Sequence, residues 1–130
     1  MMRRESDSEL NQLSQAVIGA AIEVHRELGP GFLEIVYEEA LCQELKARHI
    51  PHVRQAPIRI NYKGNPVGEG KLDILVASRL IVELKAVEQL APVHKAQVIS
   101  YLKTTGLFLG LLINFNVPIL KDGIQRIVLS

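Results

Sequence analysis

Two short apolar runs in the middle of the chain carry charged residues at positions where charges are normally excluded. The runs are residues 72–76 and 80–86, and the short segment between them suits a tight turn. This pattern predicts two antiparallel strands joined as a hairpin. Asp73 lies within the first run, and Glu83 and Lys85 lie within the second. Any fold of this chain must therefore accommodate three charged side chains on or beside a buried sheet.

The length of the turn decides which side chains share a face of the hairpin. A three-residue turn gives one wholly apolar face, whereas a two-residue turn mixes core and polar side chains, so we predict the longer turn. It places Asp73 directly opposite Glu83. Like charges in that position repel each other, and a divalent cation between them would relieve the repulsion. The predicted cross-strand pairs are Val76 with Leu80, Ile74 with Val82, and Leu72 with Leu84.

The other segments read as helices and strands arranged around this hairpin. Apolar residues at steps of three and four predict helices, and alternating or continuous short apolar runs predict strands. Helix, helix, strands, helix and strands in this order predict an α/β sandwich around a mixed sheet, with the hairpin at its centre. Helices are predicted over residues 8–28, 32–48 and 92–105, strands over 58–62, 72–76, 80–86, 107–113 and 124–129, and a turn over 63–66.

Length and composition limit the classes of protein that the chain can belong to. Its 130 residues suit one domain, and 48% apolar with 22% charged residues predict a folded chain in which only residues 1–7 are flexible. A net charge of +1 gives no support to a duplex-coating protein. The single cysteine, Cys42, excludes an internal disulfide and suits the cytoplasm. No secretory signal or membrane-spanning run is evident, so we expect no membrane association.

The spacing of Asp73, Glu83 and Lys85 suggests a metal site. Carboxylates on adjacent strands are ligands that suit hard ions such as Mg²⁺ or Mn²⁺, and a lysine beside them can stabilise charge on a reacting phosphate. The alternative is that Glu83 and Lys85 only decorate a solvated face of the sheet. Spacing alone leaves both interpretations open, because short motifs often occur by chance.

A second motif narrows the interpretation. Residues 31–37, Gly-Phe-Leu-Glu-Ile-Val-Tyr, match the pattern GxxExxY. Together with Asp73, the Glu83-Leu84-Lys85 triplet and the pair Gln97 and Tyr101, the chain from about residue 28 to 126 resembles the GxxExxY family of the PD-(D/E)XK nuclease superfamily. The proline of the PD signature is absent, since Lys71-Leu72 precede Asp73. The resemblance implies a restriction-endonuclease-like three-layer sandwich, with a central mixed β-sheet flanked by helices.

The resemblance also implies roles for individual residues. Tyr101 and His94 are secondary candidates. From the residues alone, Glu34 can equally cap or pair within its helix, Gln97 and Tyr101 can form a solvated helix face, and His94 can be a locally bonded helix-start residue. The implied catalytic residues are Lys85, Asp73, Glu83, Glu34 and Gln97, and the implied metal ligands are Asp73, Glu83, Glu34 and the backbone carbonyl of Leu84.

Other polar residues have simpler interpretations. Cys42 is expected to fill the core, and Tyr37 to pack with its hydroxyl satisfied. Arg54, Arg59, Lys63 and Lys71 can line a path to the site, and Arg59, Lys71 or Lys95 can contact neighbouring phosphates. Scattered surface charge is the plainer alternative for all of them.

The sequence therefore predicts a Mg²⁺- or Mn²⁺-dependent phosphodiester hydrolase acting on nucleic acid, with DNA as the favoured substrate. Because one small domain offers little surface for specificity, we expect a homodimer or a separate recognition partner. The competing interpretation is a catalytically idle domain of the same fold that binds nucleic acid or protein. Lys85→Ala separates the two, since it should abolish turnover in a hydrolase and leave a binding module unaffected.

Overall fold

A computed structural model describes the backbone of residues 2–129 and the side chains of residues 8–129. Helices and strands cover most of this part of the chain. The helices are α1 (Met2–Leu28), α2 (Glu34–Ala47) and α3 (Pro92–Thr105), with a 3₁₀ turn at Leu120–Gly123; the strands are β1 (His52–Tyr62), β2 (Asn65–Val76), β3 (Leu80–Lys85), β4 (Leu109–Asn114) and β5 (Ile124–Val128).

The strands form a single sheet whose spatial order follows the chain, β1-β2-β3-β4-β5. Neighbouring strands are antiparallel except β3 and β4, which are parallel. Parallel neighbours need a crossover connection, and α3 supplies it. The sheet is therefore mixed, with β3 at its centre, which confirms the predicted architecture.

Helices cover both faces of the sheet and complete three layers. One apolar cluster joins α1 and α2 to the sheet, and a second joins it to α3. All six residues of β4 are buried, although the strand begins two residues later than predicted and ends on the polar Asn114. Gly110 of β4 allows α3 to approach closely, since a Cβ there would lie 2.7 Å from Cγ1 of Val98. The predicted sandwich around a mixed sheet is confirmed.

The β2–β3 hairpin has the predicted three-residue turn, and two of its three predicted pairs are present. Val76 pairs with Leu80 and Ile74 with Val82, but the ladder ends there. The predicted apolar face that included Leu72 is wrong, because Leu72 lies in the cluster that packs against α3. Gln55, which stands opposite Asp73, has a left-handed φ of +52° and interrupts the regular alternation of the β1–β2 pair.

Several element boundaries differ from the predicted ones. The first helix begins at Met2, and the second begins at Glu34, two residues later than predicted. β1 begins at His52 and runs through Pro57, which an edge strand tolerates because its outer N–H needs no partner. The turn that follows is shorter than predicted and comprises residues 63–64, both at positive φ. Residues 1–7 are predicted to be a flexible segment; the backbone of residues 2–7 belongs to α1, their side chains lie outside the described part, and the flexibility stays a prediction.

Candidate active site

Asp73 and Glu83 hold each other through the backbone at the point where the β2–β3 ladder ends. The Asp73 N–H donates to Oε2 of Glu83 at 2.7 Å, and the Leu84 N–H donates to Oδ2 of Asp73 at 2.8 Å. These two bonds replace the ladder bonds that would otherwise join the strands. Each carboxylate has a second oxygen that these two hydrogen bonds do not use. The predicted juxtaposition of the two acids is thus present and is fixed by main-chain contacts.

Burial makes the charged forms of this pair unfavourable. The Glu83 side chain is 3% exposed, and its burial, followed by the nearby charge of Asp73, raises its pKa to about 8. Burial also raises the pKa of Asp73, although the Leu84 N–H and Lys85 oppose that shift. The positive charge near these two carboxyl groups is therefore too small to favour their ionised forms, which is a common feature of ligand sites.

Lys85 and Glu34 lie around the same two acids. The ammonium group of Lys85 is near enough to favour the charged forms of Asp73, Glu83 and Glu34. Glu34 is the first residue of α2 and is partly exposed. Partial burial, together with Asp73, raises its pKa. Lys85 therefore converges on the carboxylates as predicted, and Glu34 lies at the open edge of the group.

The GxxExxY segment positions the start of α2 by a network around Tyr37. Its hydroxyl donates to the carbonyl of Gly29 at 2.6 Å and accepts from the N–H of Phe32 at 3.2 Å. The ring stacks on Phe115 at the end of β4, with 4.5 Å between ring centroids. Gly31 has a φ of +109°, which favours glycine. Tyr37 thus packs with its hydroxyl satisfied, in agreement with the sequence-based expectation.

Glu38 joins the site although the sequence analysis did not single it out. Its side chain is 3% exposed, and it accepts from Nε of Arg54 at 2.7 Å and from Nε2 of Gln55 at 2.9 Å. The same Gln55 nitrogen lies 3.5 Å from Oδ1 of Asp73. The spacing from Glu34 to Glu38 is one helical turn, and this was the signal in the sequence that could have revealed it. Arg54 is consequently paired and does not line an open path.

The helix α3 brings polar groups to the other side of the two acids. Tyr101 is close enough to Glu83 and Asp73 for their charges, after burial, to raise its pKa. Nε2 of the exposed Gln97 donates to the Tyr101 hydroxyl at 3.1 Å. His94 has a local role, because its Nδ1 accepts from the N–H of Ala91 at 2.9 Å at the start of α3. The structure thus places Tyr101 near the acids, bonds Gln97 to Tyr101, and gives His94 a capping role at the start of α3.

A family model of the PD-(D/E)XK nuclease superfamily matches residues 11–127, nearly the whole chain. The chain belongs to the PD-(D/E)XK nuclease superfamily. No curated protein and no solved structure matched it significantly. Membership supports a nuclease activity in general terms, and nucleases of this superfamily generally use divalent metal ions. The more specific GxxExxY assignment stays a prediction.

The donors present fit a hard divalent ion. The half-buried Asp73 and the buried Glu83 offer carboxylate oxygens that lack compensating positive charge. The carbonyl of Leu84 points in the same direction as its N–H, toward Asp73, because both groups of one strand residue face the same neighbour. Within the described residues, however, no group of three or more His, Cys, Asp or Glu side chains forms a closed metal cage. An ion held by Asp73 and Glu83 would therefore need further ligands, and the Leu84 carbonyl, Glu34 and water are the candidates.

Two remaining predictions concern regions away from these acids. Cys42 is partly buried beside the α1–α2 core, where burial raises the pKa of its thiol, so it has the environment of a core residue. Among the helices described, none is long and apolar enough to cross a bilayer.

Proposed function

We propose that this PD-(D/E)XK protein is a Mg²⁺- or Mn²⁺-dependent nuclease of the GxxExxY branch that hydrolyses phosphodiester bonds, with DNA as its substrate. The observation that carries the proposal is the pair of the half-buried Asp73 and the buried Glu83, held by main-chain hydrogen bonds beside Lys85. Two adjacent acids with raised pKa values at the end of a strand ladder do not stabilise each other, so a ligand that supplies positive charge explains the arrangement better than a structural role does.

Asp73, Glu83 and the Leu84 carbonyl would hold the divalent ion, with Glu34 at its outer side. When bound, such an ion polarises the phosphoryl oxygens and makes water a better nucleophile. The fixed hydrogen bonds of Asp73 and Glu83 mean that these side chains need not reorganise before the ion and substrate arrive.

The neighbouring residues act on the phosphate itself. Lys85 places a positive charge beside the site, where it would stabilise the negative charge that grows on phosphorus-bound oxygens in the transition state. The Tyr101 hydroxyl accepts from Gln97, which leaves its proton free to donate to a phosphate oxygen. Glu34, at the open edge, is placed to orient the attacking water.

Cleavage of defined nucleic acids tests the proposal. Single-stranded, duplex and branched DNA and RNA are incubated with Mg²⁺, Mn²⁺ or chelator. We expect metal-dependent products for the wild type, a loss of kcat of at least about 100-fold for Lys85→Ala, and little change in substrate affinity. Lys46→Ala, near the far end of α2, is the matched control and should retain full activity. If no substrate gives metal-dependent products, the proposed hydrolase activity is refuted.

The absence of a closed three-carboxylate cage in the described part favours a second candidate, a nucleic-acid-binding or protein-interaction module. In that case Lys85→Ala would leave binding intact, and no cleavage would accompany it. We further propose that the nuclease is cytoplasmic, which cell fractionation tests. We also propose that a homodimer or a separate partner supplies its specificity, which light scattering tests.

A further inference from the structure

The β1–β2 hairpin extends well beyond the part of the sheet that the helices cover. From residue 57 to residue 71 no side chain is buried, on either face of the two strands. Tyr62 and Val67 are each 62% exposed. Ile58 and Gly70 at the base of this extension lie against α3, but residues 61–69 are exposed and gain little stability from burial, so the length of this two-stranded ribbon needs another explanation. We call residues 57–71 the β-arm.

The β-arm carries a net positive charge. Three cations, Arg59, Lys63 and Lys71, stand against one acid, Glu69. Of the arginines between Ser8 and Leu129, Arg59 is the one without a hydrogen bond or ion pair, although Glu69 stands opposite it in the ladder. Lys63 extends over the exposed ring of Tyr62, 5.4 Å from its centroid. The arm therefore presents unneutralised positive charge.

Register places two of these cations on one face. Pro57 pairs with Lys71, and Arg59 follows Pro57 by two residues, so Arg59 and Lys71 share a face of the ribbon. Leu72 and Ile58 pack on the α3 side. The side chains next to them along the strands, Lys71 and Arg59, consequently face the side that carries α2.

This face leads directly to the candidate active site. Lys71 precedes Asp73 by two residues, which is about 7 Å along β2. The eight residue-to-residue steps from Gln55, opposite Asp73, to Lys63 at the tip span roughly 27 Å. Phosphates of one strand follow each other at about 3.4 Å along a duplex axis, so this length corresponds to about eight nucleotides.

We propose that the β-arm binds the phosphate backbone of a polynucleotide to one side of the scissile bond, through Arg59, Lys71 and Lys63, over about eight nucleotides. The inference rests on the proposed function for the class of substrate. The β-arm contacts would make the protein prefer long polynucleotide substrates, because a short fragment that does not reach the tip of the arm loses these contacts. The contacts carry no base information, since they are made to phosphates.

Binding of labelled DNA, measured by fluorescence anisotropy in chelator so that no strand is cut, tests the arm separately from catalysis. For the wild type, affinity should rise with length and level off once about eight nucleotides extend beyond the site on one side. Arg59→Gln with Lys71→Gln should weaken binding of long DNA about tenfold and lower the slope of log K against log salt by about two. Lys46→Gln with Lys121→Gln removes the same charge elsewhere and should change neither quantity.

Two binding results would overturn the β-arm proposal: equal binding by the arm variant and the wild type, or an affinity that is independent of DNA length. A third would be the loss of a dimer in the arm variant, measured by light scattering, because the arm would then be a contact between copies of the chain. The wild-type length series needs no substitution, so a misfolded variant cannot obscure the answer. Length-dependent binding without any cleavage would support the arm and refute the proposed hydrolysis, so the two failures are distinguishable.

Discussion

At the scale of single residues, the main finding is that Glu83 occupies a position that disfavours its charge. Its folded pKa of about 8 lies above its ordinary value of 4.5, chiefly because it is buried. An acid with a raised pKa binds its proton more tightly when the chain is folded. The metal-free protein therefore loses stability as pH rises from about 4.5 to about 8, where the unfolded chain has released that proton.

The pH dependence of unfolding measures this effect. Denaturant titrations of the metal-free protein between about pH 5 and pH 8 should show the free energy of unfolding falling by roughly 1 kcal/mol per pH unit. Glu83→Gln has nothing to titrate at this position and should reduce the slope. An unchanged slope in the variant would assign the dependence to other groups.

Glu38 provides a second test at this scale, because it is buried and relies on Arg54. Arg54→Ala leaves that carboxylate without its cation and should destabilise the fold by about 2 kcal/mol. Arg48→Ala breaks an exposed pair with Glu44 in the preceding helix and should cost no more than about 0.5 kcal/mol. Similar losses for both variants, measured by urea unfolding, would contradict the importance of the buried pair.

At the scale of elements, the sequence predicts the β2–β3 hairpin more accurately than it predicts the packing of the segments around it. The three-residue turn was predictable because only that register separates apolar from charged side chains. The displaced position of Leu72 was not, since it depends on the left-handed Gln55 on another strand, and glutamine carries no signal for that conformation. Glu38 escaped notice because its partners come from β1, so its burial depends on packing between distant segments.

The start of α2 yields a further prediction. Tyr37→Phe keeps the stacking on Phe115 but leaves the Gly29 carbonyl and the Phe32 N–H without their partner. We expect a loss of about 1 kcal/mol in unfolding free energy and a fall in kcat, because Glu34 begins the helix that this network positions. Tyr62→Phe, on the exposed arm, is the control for stability and should cost nothing measurable. A fully stable Tyr37→Phe would show that stacking alone holds the helix.

At the scale of the whole molecule, the proposed cation binding would be coupled to folding through the two acids. An ion that binds only the folded state stabilises it, and binding requires Glu83 to lose its proton. Mg²⁺ or Mn²⁺ should therefore raise the melting temperature by several degrees at pH 8 and by less at pH 6. Asp73→Asn should abolish the shift at both values. A shift that is independent of pH, or that persists in Asp73→Asn, would place the ion elsewhere.

The mutual hold of Asp73 and Glu83 has a practical consequence. Replacing either acid removes a proposed ligand and also a hydrogen bond that joins two central strands, so a variant made that way is destabilised as well as inactivated. Lys85, which forms no ion pair within the described residues, takes no part in these hydrogen bonds. A lysine variant is thus the better tool for capturing an uncut substrate in crystals or pull-downs, because the platform that receives the nucleic acid stays intact.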